Sequence, residues 1–215
     1  MSTRYDDVLD SLRLAYDDGA ERRDATDKAS WKLAERAAFL DRLRAEGATT
    51  LLEVGAGTGQ DSAYFGDNDL RVAATDLSPA MVERCRAKGI DARVADFLHL
   101  GFPPGSFDAA YAMNCLLHVP NADLPAVLGS IATVLRPGGL FFLGVYGGEQ
   151  GEGPLADDRH DPPRFFASRT DEEIQEYARR SFEIVDFHVV SVTDFHGGPP
   201  ASDFRFQSLT LRRPA

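Results

Sequence analysis

The chain has 215 residues, 43% of them hydrophobic and 27% charged, with a formal net charge of −11. That is enough apolar material for one sizeable core. So acidic a chain disfavours nucleic acid, which is bound by lysine and arginine neutralising phosphates, and disfavours anionic membranes. The two cysteines, Cys85 and Cys115, have no metal-ligand spacing, so reduced thiols and no metal site are expected. The acidic N-terminus carries no signal-like run and no apolar stretch reads as a span, which makes the cytoplasm the expected location.

Arg4 to Asp18 has apolar residues at helical spacing and predicts an N-terminal helix, followed by the charged, loop-like GAERRD. A second helix is predicted from Lys28 to Ala45. The first is read as a lid within residues 1–27, with Tyr16 reaching toward a ligand or packing in the core. The second is read as a cover for the sheet. Thr50 to Val54 reads as a buried strand that ends in Gly55, Ala56, Gly57, Thr58 and Gly59. Glycine there permits backbone angles closed to other residues and lets a ligand approach the main chain. Asp61 to Phe65 begins the helix that follows, and the unpaired N–H groups at its start face the same turn.

Leu70 to Thr75 is the second predicted strand, with Asp76 at its end. Ser78-Pro79 opens a helix that closes at Gly89, since proline suits the first helical position. Ile90 to Ala95 and Phe107 to Met113 are strands three and four, closed by Asp96 and Asn114. Asp123 is expected to cap a helix to Leu135. Arg136-Pro137-Gly138-Gly139 then breaks it, and Leu140 to Val145 makes strand five. Strict alternation of strand and helix implies a parallel α/β sheet with right-handed crossovers. Gly147 to Pro163 reads as a long loop, part of an acceptor-side segment 146–170. Thr170 to Arg180 reads as a helix with acids at its positive end. Phe182 to Thr193 and Phe204 to Leu211, joined by HGGPP, read as a terminal antiparallel pair. One domain, 1–215, is expected.

The glycine turn is GxGxG, not the dinucleotide GxGxxG, since Gln60 occupies the third fingerprint position. A nicotinamide-dependent oxidoreductase is therefore the weaker alternative, and no GxxxxGK[ST] exists for a phosphate loop. Glu53, just before the turn, is a poor neighbour for a pyrophosphate and a good one for a cation. Asp76, about 20 residues past the glycines, suits a ribose diol. Asp96 is positioned for an adenine amino group. Together they describe a ligand with ribose, adenine and a positively charged tail.

EVGAGTGQ, ATDLSPAMVERC, VADFLHLGFPPGSFDAAYA and LRPGGLFF resemble the class I S-adenosylmethionine-dependent methyltransferases over residues 30–146. The resemblance implies a Rossmann-like seven-stranded sheet in the order 3-2-1-4-5-7-6, mostly parallel, its last strand antiparallel, with helices on both faces. It implies S-adenosylmethionine as cofactor and S-adenosylhomocysteine as product. Gly55 and Gly57 lie against the methionine part, with Ala56 and Gly59 in the same cradle and Glu53 near the ammonium. Asp76 binds the ribose hydroxyls and Leu77 borders the adenine. Asp96 meets the adenine amine beside Phe97, and Asn114 faces the methionine part. Met81 belongs to the same set, although Met81 and Phe97 also suit core packing.

The expected reaction is in-line methyl transfer to an oxygen, nitrogen or sulfur of a small molecule, by a monomer or homodimer. A cofactor-binding sensor or a non-methylating user of a modified cofactor is the alternative. His118, after strand four, and His160, in the long loop, are the candidate bases, because histidine serves that role near neutral pH. Tyr16, His118, Tyr146, His160 and Arg164 are the candidate acceptor-site residues. His99, His188 and His196 are read as structural or surface residues.

Overall fold

The computed structural model describes residues 3–155, 158, 160–192 and 205–215. Its centre is a seven-stranded sheet. Strands β1 (Thr50–Val54), β2 (Arg71–Asp76), β3 (Asp91–Val94), β4 (Phe107–Met113) and β5 (Leu135–Gly147) run parallel. A small ribbon follows, β6 (Gly151–Pro154) with β7 (Phe165–Ser168), and the chain then supplies β8 (Glu183–Ser191) and β9 (Arg205–Arg212). The sheet order is β3-β2-β1-β4-β5-β9-β8. With the ribbon set aside this is the expected 3-2-1-4-5-7-6, and β9 is antiparallel to both neighbours.

The central strands are apolar on both faces because helices cover both. Side chains alternate across the pleat. Leu51, Ala109, Tyr111 and Phe142 meet helix α2 (Ser30–Ala45) through Phe39, Leu40 and Leu43. Leu52, Ala110, Phe141 and Leu143 meet α5 (Leu124–Val134) and α1 (Tyr5–Asp24) on the other face. The remaining helices are α3 (Gln60–Gly66), α4 (Pro79–Ala87) and α6 (Asp171–Arg179). Thr170 caps α6 with a reciprocal pair: its hydroxyl accepts from Glu173 N–H at 3.2 Å, and its own N–H donates to the Glu173 carboxylate at 2.9 Å.

Four expectations are corrected. GAERRD is helical, and α1 extends to Asp24. Asp6 and Asp7 at its start and Arg22 and Arg23 at its end complement the helix dipole, so the charged run lengthens the helix. Asp123 does not cap α5 with its side chain. Its carboxylate instead accepts from Tyr5 N–H at 2.7 Å and pairs with Arg4 at 2.5 Å, so it caps α1. Arg136 to Gly139 lies inside β5, where the register against β4 shifts between Phe107 and Ala109. The long loop contains the β6–β7 ribbon, held by backbone pairing and by burial of Phe165 and Ala167. Thr193, Phe204 and the His196 to Pro200 connector lie outside the described residues.

Candidate active site

The site begins where β1 ends. Gly55, Gly57 and Gly59 have φ of +68°, +56° and +80°, angles that favour glycine. A Cβ on Gly55 would collide with the Cys115 Cβ and lie 2.8 Å from its Sγ, whereas one on Gly57 would meet nothing within 4 Å. The first glycine is thus required by packing and the second leaves open space. Gly55→Ala is expected to destabilise the fold by about 2–4 kcal/mol, combining a left-handed alanine with an overpacked contact. Urea denaturation checks this.

Asp76 turns back toward this bend. It accepts from Gly57 N–H at 2.8 Å and Ser78 N–H at 2.9 Å. Burial raises its pKa to about 6, against the pull of those two bonds. Gly55, Gly57, Asp76, Leu77, Met81, Phe97 and Asn114 line one cavity. Tyr16 and His118 line it too, so nine of the residues singled out from the sequence converge. Tyr5, Leu12, Arg23, Met113 and Cys115 also line it and were not anticipated. Tyr5 stacks on Phe97 at 5.8 Å, and its hydroxyl accepts from Phe97 N–H at 3.4 Å. Nothing in the periodicity of α1 distinguishes such a residue from a core tyrosine.

The other candidates fall outside the lining. Ala56 and Gly59 brace the turn: Ala56 N–H donates to Thr75 O, and Gly59 backs onto Ile90 and Cys85. The Asp96 carboxylate faces its own loop, accepting from Leu98 N–H at 2.7 Å and His99 N–H at 2.9 Å. Glu53 is buried beneath the turn and accepts from the Ser62 hydroxyl. Burial, then the charge of Asp61, raises its pKa to about 8, so it is protonated at neutral pH. Its folded pKa lies above that of an unfolded carboxyl. It therefore stabilises fully in acid and loses that contribution as pH rises through about 8. Glu53→Gln is expected to melt progressively above wild type as pH rises from about 5 to about 8, on the order of 1 kcal/mol per pH unit, with no further divergence above that. Thermal melts across that range check it.

His118 is buried in the 3₁₀ turn Leu116–His118 after β4. Its Nδ1–H donates to Phe165 O at 2.7 Å, a carbonyl that can only accept. The lone pair is therefore on Nε2, and the Tyr16 hydroxyl donates to it at 2.5 Å. Burial lowers the His118 pKa to about 3, so the ring is neutral. Arg164 donates to the Tyr16 hydroxyl at 3.3 Å and is clasped by Asp158 at 2.8 and 2.9 Å. His160 sits against α1 beside Gly19, its ring 6.1 Å from that of Tyr16. Tyr146 packs on Trp31 at 6.2 Å and on Phe206 at 5.8 Å, and it bonds to Asn114. Asn114 has φ +56°, and its buried Oδ1 has no partner among the described residues.

Residues 52–143 match the family model described as a methyltransferase domain. The 27-O-demethylrifamycin SV methyltransferase of Amycolatopsis mediterranei (strain S699) is 32% identical over 154 residues, covering 66% of this chain and 55% of that protein. The chain spans about half the length of that relative and of the similarly matched Streptomyces halstedii methyltransferase GfsG (53%). Among solved structures, the Burkholderia thailandensis 1,6-didemethyltoxoflavin-N1-methyltransferase with bound 1,6-didemethyltoxoflavin and S-adenosylhomocysteine shares the fold. Its TM-score is 0.75 at 24% identity, covering 100% of this chain and 92% of that one. The matched domain, these relatives and the shared fold together support a class I S-adenosylmethionine-dependent methyltransferase.

Proposed function

We propose that the chain transfers a methyl group from S-adenosylmethionine to a small molecule, and that a hydroxyl is the acceptor served best. The observation that carries this is the Tyr16–His118 pair opening into the same cavity as Gly57 and Asp76.

The cavity suits the cofactor. Asp76 supplies a carboxylate for a ribose diol, the open face of Gly57 admits a close backbone approach, and Oδ1 of Asn114, without a partner among the described residues, offers an acceptor to an ammonium. When bound, the cofactor supplies an electrophilic methyl on a sulfonium, which already has a good leaving group. This chain's residues then have two tasks. One is alignment in a dry site, which supplies roughly 7–11 kcal/mol in well-oriented systems. The other is holding the proton released by a hydroxyl. Tyr16 passes its own proton to His118 Nε2 and takes the acceptor's. The bond to Phe165 O holds His118 in the tautomer whose Nε2 can receive that proton, while burial makes the ring a weak base in the free protein. Arg164 orients the Tyr16 oxygen from the other side. We also assign residues 1–27 a lid role and 146–170 an acceptor-side role, because α1 supplies Tyr5, Tyr16 and Arg23 to the cavity and the ribbon supplies Phe165 O to His118.

The test is incubation with labelled S-adenosylmethionine and small hydroxyl, amine, thiol and carboxyl compounds. Transfer is expected, with hydroxyls leading. Tight cofactor binding without transfer to any of them points to the second reading, a cofactor-binding protein with other chemistry. That reading has its own support: one solved neighbour, at 25% identity and TM-score 0.66, is named a [4+2]-cyclase.

A further inference from the structure

Arg169, just past β7, is 2% exposed and makes no ion pair among the described residues. Each of its three nitrogens meets a neutral oxygen. Nε–H donates to Asn121 Oδ1 at 2.7 Å, Nη1–H to Ala167 O at 3.1 Å and Nη2–H to Val119 O at 2.6 Å. Burial lowers its pKa to about 10, against the pull of Tyr177, Glu152 and Glu173, so it is charged at neutral pH. A buried guanidinium that faces only neutral groups is costly to desolvate, and its three bonds fall in one particular place.

The acceptors lie on the two segments that frame His118. Val119 and Asn121 follow the histidine closely, and Ala167 lies two residues past Phe165, whose carbonyl accepts from His118 Nδ1–H. Carbonyls two apart on a strand point off the same edge. Arg164 O accepts from Leu155 N–H on the β6 side, so Phe165 O and Ala167 O point off the other edge of β7. Among the described residues no strand pairs there. His118 takes the first of these carbonyls and Arg169 the second. The backbone of Arg169 is anchored as well: its carbonyl accepts from Gly148 N–H, just past β5, at 2.9 Å and from Gln207 Nε2 on β9 at 2.9 Å. The residue thus spans from the central sheet to the ribbon and to the turn that carries His118.

We infer that Arg169 is a positioning residue: its guanidinium locks the 118–121 turn and β7 in register, which holds Phe165 O against His118 Nδ1 and leaves Nε2 turned to Tyr16. A rigid planar fork suits this task, since one group sets three oxygens at once. A lysine would bring the same charge as a single point donor and could not hold all three in that plane. The inference rests on the methyl-transfer reading for its consequence in rate, and on the ring geometry alone for the rest.

The test compares wild type with Arg169→Lys and with Asn121→Ala, which keeps the guanidinium and removes one of its acceptors. Asn121→Ala decides the matter if Arg169→Lys fails to fold. The His118 ring is read by nitrogen NMR on protein labelled at its five histidines, the His118 signals being those missing from His118→Ala. Wild type is expected to show the form protonated on Nδ1, and both variants a mixture with the form protonated on Nε2. Methyl transfer from labelled S-adenosylmethionine at saturation is expected to slow by about 10- to 100-fold in Arg169→Lys, as displacements on the order of 1 Å do. In a His118→Ala background the same replacement is expected to change the rate by less than about twofold, because an effect routed through the ring is lost with the ring. A wild-type ring protonated on Nε2, or a ring unchanged in the folded variants, overturns the inference. So does a changed ring with an unchanged rate. Equal slowing with and without His118 overturns it too, since Arg169 then braces the fold without acting through the histidine. A wild type that transfers no methyl group overturns the proposed function instead, and the state of the ring alone then tests the fork.

Discussion

Replacing His118 by alanine is expected to slow methyl transfer by about 10²–10⁴-fold, the usual worth of a positioned base, with S-adenosylhomocysteine affinity held within a few-fold. The expectation follows from the ring's two bonds. Phe165 O fixes the proton on Nδ1 and leaves Nε2 facing the Tyr16 hydroxyl. Burial has already lowered the His118 pKa to about 3, so the ring stays unprotonated throughout the working pH range. Its own titration therefore adds no acid limb near neutrality. Tyr16→Phe is expected to lose activity in the same direction by removing the bridging oxygen. Single-turnover rates with cofactor-saturated enzyme separate this loss from weakened binding. Equal rates in wild type and His118→Ala would remove His118 from the chemistry and reduce it to a brace between the β4 end and β7.

The second large effect concerns Asp76. Asp76→Ala is expected to weaken S-adenosylhomocysteine binding by about 1–3 kcal/mol through lost charge-assisted hydrogen bonds, roughly 5- to 150-fold. Burial holds this carboxyl near a pKa of about 6 in the free protein. Binding that needs the carboxylate is therefore strong above that value and falls as pH drops through it. The same group acts oppositely on the free fold: its raised pKa stabilises most in acid and loses that contribution as pH rises through about 6. Calorimetric titration between pH 5 and 8 checks the binding limb, and Asp76→Asn is expected to flatten it. An unchanged dissociation constant in Asp76→Ala would show that the ribose is held elsewhere.

Local pattern reached the parts of the fold whose causes are local. TLLEV before a glycine turn, proline at the first position of α4 and the Thr170–Glu173 pair each specify their element through nearest neighbours. The errors share a different cause. Asp123 looked like a cap for α5, yet it serves α1, 118 residues away in sequence. Gly19 looked like a break, yet in α1 it makes room for His160. The ribbon of β6 and β7 lacks β-forming composition on its first strand and exists because a partner strand completes its hydrogen bonds.

Residue type and spacing alone determined the alternating β/α order, the bare bend after β1 and the acid at the end of β2, because each follows from backbone sterics or short-range periodicity. The tertiary structure decided which of those groups share a hollow. It brought Tyr5, Tyr16 and Arg23 over from the first helix, and it turned the Glu53 and Asp96 carboxyls toward Ser62 and the Leu98–His99 backbone. Side-chain direction and protonation depend on long-range packing and desolvation, and no one-dimensional pattern encodes those.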